Sequence, residues 1–113
     1  MTIREKIHGE VVTISLSGSL LGEPGASDLR QAVYRLLTEN KRKFVIDLGE
    51  LKFINSMGLG SLIASLTSVR TRGGDMCLAR LRDKVEAVIM ITKLTKVFRL
   101  YDTVVKAVDS FKQ

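Results

Sequence analysis

Residues 53–62 read Phe53-Ile54-Asn55-Ser56-Met57-Gly58-Leu59-Gly60-Ser61-Leu62, and the turn the chain makes at Asn55-Ser56 decides how its halves join. Beyond it, Leu59, Leu62, Ile63, Leu66 and Val69 recur at helical spacing, with Gly60, Ser61, Ala64, Ser65, Thr67 and Ser68 on the opposite side. Ser56 therefore sits at or just before a helix N-terminus. A serine there is either the helix cap or a chemical handle.

Working outward, Lys43–Leu48 (KFVIDL) is apolar at consecutive positions, as expected of a central strand covered on both faces. Residues 11–17 (VVTISLS) alternate, placing Val12, Ile14 and Leu16 on one face and Thr13, Ser15 and Ser17 on the other, the period of a half-buried strand. TIREKIH before them is a weaker strand, with Gly9-Glu10 as the hairpin turn. SLLGEPGAS reads as a loop; DLRQAVYRLLTEN then sets Leu29, Val33, Leu36 and Leu37 at helical spacing and stops near Asn40.

On the C-terminal side, Arg72-Gly73-Gly74 ends the helix that follows Ser56, and MCLARL supplies another strand. DKVEAVIMITKL is a short helix with Val85, Val88, Ile89 and Leu94 inward, KVFRLY a last strand, and TVVKAVDSF a terminal helix capped by Asp102. Two strands followed by alternating helices and strands give an α/β fold. A mixed sheet of about four to six strands, with helices on at least one face, is expected.

With 113 residues, 45% of them hydrophobic, the chain is sized for one domain, residues 1–113, with a real core. No apolar run approaches the roughly 18 residues of a membrane helix, and the polar start MTIREKIHGE lacks a signal-peptide core, so no membrane insertion and a cytoplasmic location are expected. The net charge of +6 raises the possibility of a nucleic-acid partner. Its cations fall in small groups, Lys41-Arg42-Lys43, Arg70 with Arg72, and Arg80-Arg82-Lys84, broken by acids and accompanied by few aromatics. That pattern fits a solvated surface better.

Catalytic constellations are missing. The single histidine, His8, lies in the first hairpin, Cys77 lies in the apolar run MCLA as expected of a buried thiol, and no cluster has metal-ligand spacing. GLGSL lacks the Gly-Lys-Ser/Thr of a phosphate loop, and SMG lacks the glycine two residues before the serine of a nucleophile elbow. The reading is a non-enzyme without cofactor or metal. Ser56 nevertheless has a hydroxyl that can accept a phosphoryl group from another protein, and a helix N-terminus tolerates the added charge.

IDLGELKFINSMGLGSLIASL resembles the signature of STAS-domain anti-sigma factor antagonists. The similarity continues through ISLSGSL, RTRGGDMCLARL and VEAVIMITKLTKVFRLYDTVVKAV, nearly the whole chain. The resemblance implies a STAS-like single domain in which Ser56 is the phosphoacceptor. It also implies a partner that is both anti-sigma factor and serine kinase, bound by the unphosphorylated antagonist, and a serine phosphatase that resets the cycle. The partner-binding surface would comprise Leu21, Glu23, Asn55, Ser56, Met57, Gly58 and Gly60, the two glycines letting the partner approach. Two positions depart from the usual pattern: Asn55 stands where the family has Asp, and Leu21 where many members have an acid, with Glu23 the nearest substitute. On this reading N55D should speed phosphorylation of Ser56 with little effect on stability. STAS domains also serve as constitutively bound scaffolds of stress-sensing complexes or transporter subunits, which leaves those uses, and a basic nucleic-acid-binding domain, as alternatives.

Overall fold

The computed structural model describes residues 1–112. The chain runs β1 (Thr2–His8), β2 (Val11–Leu20), α1 (Gly25–Thr38), β3 (Lys43–Ile54), α2 (Ser56–Thr71), β4 (Asp75–Ala79), α3 (Asp83–Ile91), a 3₁₀ turn (Leu94–Lys96), β5 (Leu100–Tyr101) and α4 (Val104–Ser110). The five strands lie side by side in chain order. β1 pairs antiparallel with β2 through the Gly9-Glu10 turn, and every later pair is parallel.

Alternation sorts the side chains into two layers. Val12, Ile14, Leu16, Phe44, Ile46, Leu48, Met76 and Leu78 meet Leu29, Val33, Leu36, Leu62, Leu66, Val85 and Ile89 of α1, α2 and α3 on one face. On the other, Val11, Val45, Cys77 and Ala79 pack beneath Ala107 and Val108 of α4. The expectation of a half-buried β2 is corrected here, since α4 covers Val11 and Thr13 as well.

Other boundaries move for local reasons. β2 and β3 run on together, from Ser17↔Glu50 to Leu20↔Ile54, past two register irregularities, so the central strand is twelve residues long and not six. α1 begins at Gly25, directly after Pro24, inside the expected loop. Leu94 and Phe98 are buried through the 3₁₀ turn and not by strand alternation, leaving β5 only two residues. Thr103, not Asp102, caps α4: its hydroxyl accepts the Lys106 N–H at 3.1 Å.

Of β3, only Lys43–Asp47 pair with β4, so the rest of β3 and the tail of β2 project beyond it as a two-stranded ribbon. That ribbon delivers the β2–α1 loop and the head of α2 to one end of the molecule.

Candidate functional site

Asn55, not Ser56, is the N-cap of α2. In extended conformation (φ −119°, ψ −172°), its Oδ1 accepts the Gly58 N–H at 3.0 Å. Its Nδ2 donates to the Leu21 carbonyl at 2.7 Å, and its own N–H reaches the Leu20 carbonyl at 3.4 Å. One residue thus ties the end of β2 to the start of α2. Ser56 follows as the first residue of the helix, exposed, and among the described residues nothing hydrogen-bonds to its hydroxyl.

The sequence-predicted residues divide. Leu21 and Met57 come together around Ser56, 53% and 59% exposed, the Met57 sulfur lying 3.4 Å from where a Cβ on Gly22 would stand. Gly60 is exposed in open space one turn along. Gly58 requires a correction: it is buried, and a Cβ there would overlap the Leu20 carbonyl and crowd Ile54. Its lack of a side chain lets α2 seat on β2 and β3; it does not open a path for a partner.

Glu23 also turns away from the role of substitute acid. Pro24 at the head of α1 makes no side-chain cap, so the Glu23 carboxylate takes that place, accepting the Ser27 hydroxyl and the Ser27 N–H, the latter at 2.8 Å. Those two bonds, with the nearby Arg30, hold its pKa below the ordinary carboxylate value. Residues 54–69 contain no charged side chain, so Ser56 stands on an uncharged stretch of helix in a chain that is 27% charged.

Reading the sequence missed the rim. Phe53 is partly exposed, with the Lys84 ammonium 4.6 Å from its ring centre, and Ile63 emerges from the stripe taken as buried, while Ser61 and Ser65 go inside. The outward Phe53 between buried Leu51 and Ile54 was discoverable had the strand been extended. Lys84 gave no signal, being distant in sequence.

His8 lies at the far end of β2 from Leu20, roughly 30 Å away at a strand's rise per residue, so it cannot serve Ser56 as a base. Among the described residues no group of three potential metal ligands assembles, and no helix is long and apolar enough to cross a membrane. Burial pushes the Cys77 thiol up to about 11, as a structural cysteine requires. Open cavities of about 490 and 580 Å³ flank β5, and Ser56 lines neither.

The STAS domain family model matches residues 2–107. The chain belongs to the STAS family. An anti-sigma F factor antagonist of Paenibacillus polymyxa is 25% identical to it over 115 aligned positions, covering 99% of this chain and 96% of that one. The crystal structure of a candidate anti-sigma factor antagonist from Thermotoga maritima matches this STAS domain with a TM-score of 0.89 at 26% identity, over 98% and 95% of the two chains. The crystal structure of an anti-sigma factor antagonist from Mycobacterium paratuberculosis gives 0.86 at 27% identity, over 99% and 94%.

Proposed function

We propose that this chain is an anti-sigma factor antagonist whose Ser56 is the phosphoacceptor of a partner-switching cycle, and that residues 1–113 form its single STAS domain. The unmodified protein binds an anti-sigma factor that is also a serine kinase, phosphorylation of Ser56 releases it, and a serine phosphatase restores the binding form. The observation that carries the reading is the exposed, unengaged hydroxyl of Ser56 at the head of α2, with the capping duty taken by Asn55.

A phosphate there adds about −1.5 to −2 charges to an uncharged stretch of helix. The free chain accommodates it, since the N-terminus of a helix favours anions. In a docked interface the same charge, desolvated and unpaired, costs several kcal/mol, and about 1.4 kcal/mol is a factor of ten in affinity. The domain performs no catalysis; the kinase supplies the chemistry.

The test is direct: incubate the chain with its cognate kinase and ATP and map the phosphate by mass spectrometry. Phosphate on Ser56 is the expected result. Modification mainly at Ser61, Ser65 or a threonine, with Ser56 clean, would replace the switch by a constitutively bound scaffold or transporter subunit.

A further inference from the structure

Asn55 makes two hydrogen bonds of opposite polarity: its carbonyl oxygen accepts from Gly58, and its amide nitrogen donates to Leu21. Aspartate is isosteric and equally good as a cap, yet when ionised it has no donor, and a carboxylate oxygen would face the Leu21 carbonyl oxygen at the same short distance. Asparagine fills both roles with two separate atoms, Oδ1 for the Gly58 N–H and Nδ2 for the Leu21 carbonyl. Its donor holds a particular segment. Leu21 is exposed, and Met57, next to Ser56 in the chain, lies over Gly22. Were the Leu21 carbonyl released, that loop would be tied to α2 only through the Leu20 carbonyl and the Met57 contact.

We infer that Asn55 is the positioning residue of the Ser56 site: its amide fixes Leu21 beside Met57 and Ser56, and so builds the neutral, apolar face that the partner docks on. The inference rests on the reading of Ser56 as the switch, and it names the kind of partner surface that fits. With Leu20–Gly22 and residues 54–69 free of formal charge, the complementary contact is apolar and not a cluster of cations. A phosphate on Ser56 then adds about −1.5 to −2 charges beside Leu21 and Met57, which carry none. The clamp therefore keeps the two states of the switch far apart.

The test uses the isolated full chain and backbone amide NMR spectra recorded from pH 7.5 to pH 3.5. In N55D at pH 7.5 the Leu21 and Gly22 resonances leave their native positions. As the new carboxyl gains its proton it becomes a donor, and they return toward them. In N55S, which keeps a capping oxygen but has no amide, they are displaced throughout; the native chain supplies the baseline for Glu23, the neighbouring carboxylate that also takes up a proton on acidification, and its contribution is subtracted. That reversible profile separates the missing donor from general damage, because a merely loosened helix would not recover on acidification. If the N55D resonances coincide with the native ones at pH 7.5, or are displaced equally at both ends of the range, the clamp is overturned.

A parallel arm measures Ser56 phosphorylation of native and N55D chains by the cognate kinase at pH 7.5. Slower modification of N55D, by tenfold or more, is the expected result; an equal or faster rate overturns the positioning role even where the loop has moved. Failure of the native chain to be modified at all removes the switch reading instead, and with it the partner.

Discussion

Asn55 and Ser56 are neighbours with different duties, and truncation separates them. N55A removes the cap and the Leu21 clamp together, so it should cost about 1–2 kcal/mol in urea unfolding. S56A removes a hydroxyl that holds nothing, so its cost should stay within about 0.5 kcal/mol. Equal losses would mean that Ser56 shares the cap. The same geometry reverses the expectation that N55D is harmless, since it trades a donor for a repulsion at Leu21. Cys77 gives a second residue-scale expectation. Its buried thiol stays neutral to about pH 11, whereas in the unfolded chain it ionises near the ordinary 9.0. The unfolded state therefore gains from proton loss first. Stability from this group is intact below pH 9 and falls between pH 9 and about 11, by on the order of 2 kcal/mol. Against C77A, the native chain should show the steeper decline over that window; parallel curves would refute a buried, protonated thiol.

At the scale of elements, the two glycines of α2 make opposite predictions. G60A meets open space and replaces the poorest of the ordinary helix formers, so it should stabilise by about 0.5–1 kcal/mol. G58A drives a methyl into the Leu20 carbonyl and should destabilise by about 1–3 kcal/mol, despite the same gain in helix propensity. Thermal unfolding of the two variants checks both signs. Sequence alone could not tell these glycines apart, because the difference lies in what Leu20, thirty-eight positions earlier, places against the helix. The same limit explains the other misses. Periodicity located β2, α1 and α2, since burial on one face leaves a period that survives in the residue order. It could not show that β2 and β3 keep pairing to Ile54, because GELKFI does not alternate cleanly. Nor could it show that Leu94 and Phe98 are buried by a 3₁₀ turn. At the site, the place of Ser56 at the head of a helix was legible from the spacing that follows it, whereas the commitments of Asn55, Glu23 and Gly58 follow from tertiary contacts.

For the whole molecule, ion pairs cancel charge locally, and the net +6 is carried by the cations outside them. Arg35 bridges Glu5 and Glu39, Arg70 and Arg99 share Asp75, Arg80 meets Asp47 and Glu50, and Arg42 donates to the Leu37 and Lys41 carbonyls. Among the cations outside these pairs, Arg4, Lys52, Lys84 and Lys96 are exposed on four different elements, β1, β3, α3 and the 3₁₀ turn. Retention on duplex DNA should accordingly be weak and disappear by about 0.2 M salt. Tight, salt-resistant retention would revive the nucleic-acid reading. What the fold does concentrate at one end is the β2–β3 ribbon, the Leu21 loop and the uncharged head of α2, which together present Ser56. The central claim is that one phosphate at this end controls partner binding. The most direct measurement is calorimetric titration of the isolated anti-sigma factor kinase with the unmodified chain and with the chain carrying phosphoserine at position 56. The account predicts that phosphorylation weakens binding at least tenfold, about 1.4 kcal/mol, while the domain stays folded. Equal affinity of the two folded forms would contradict it.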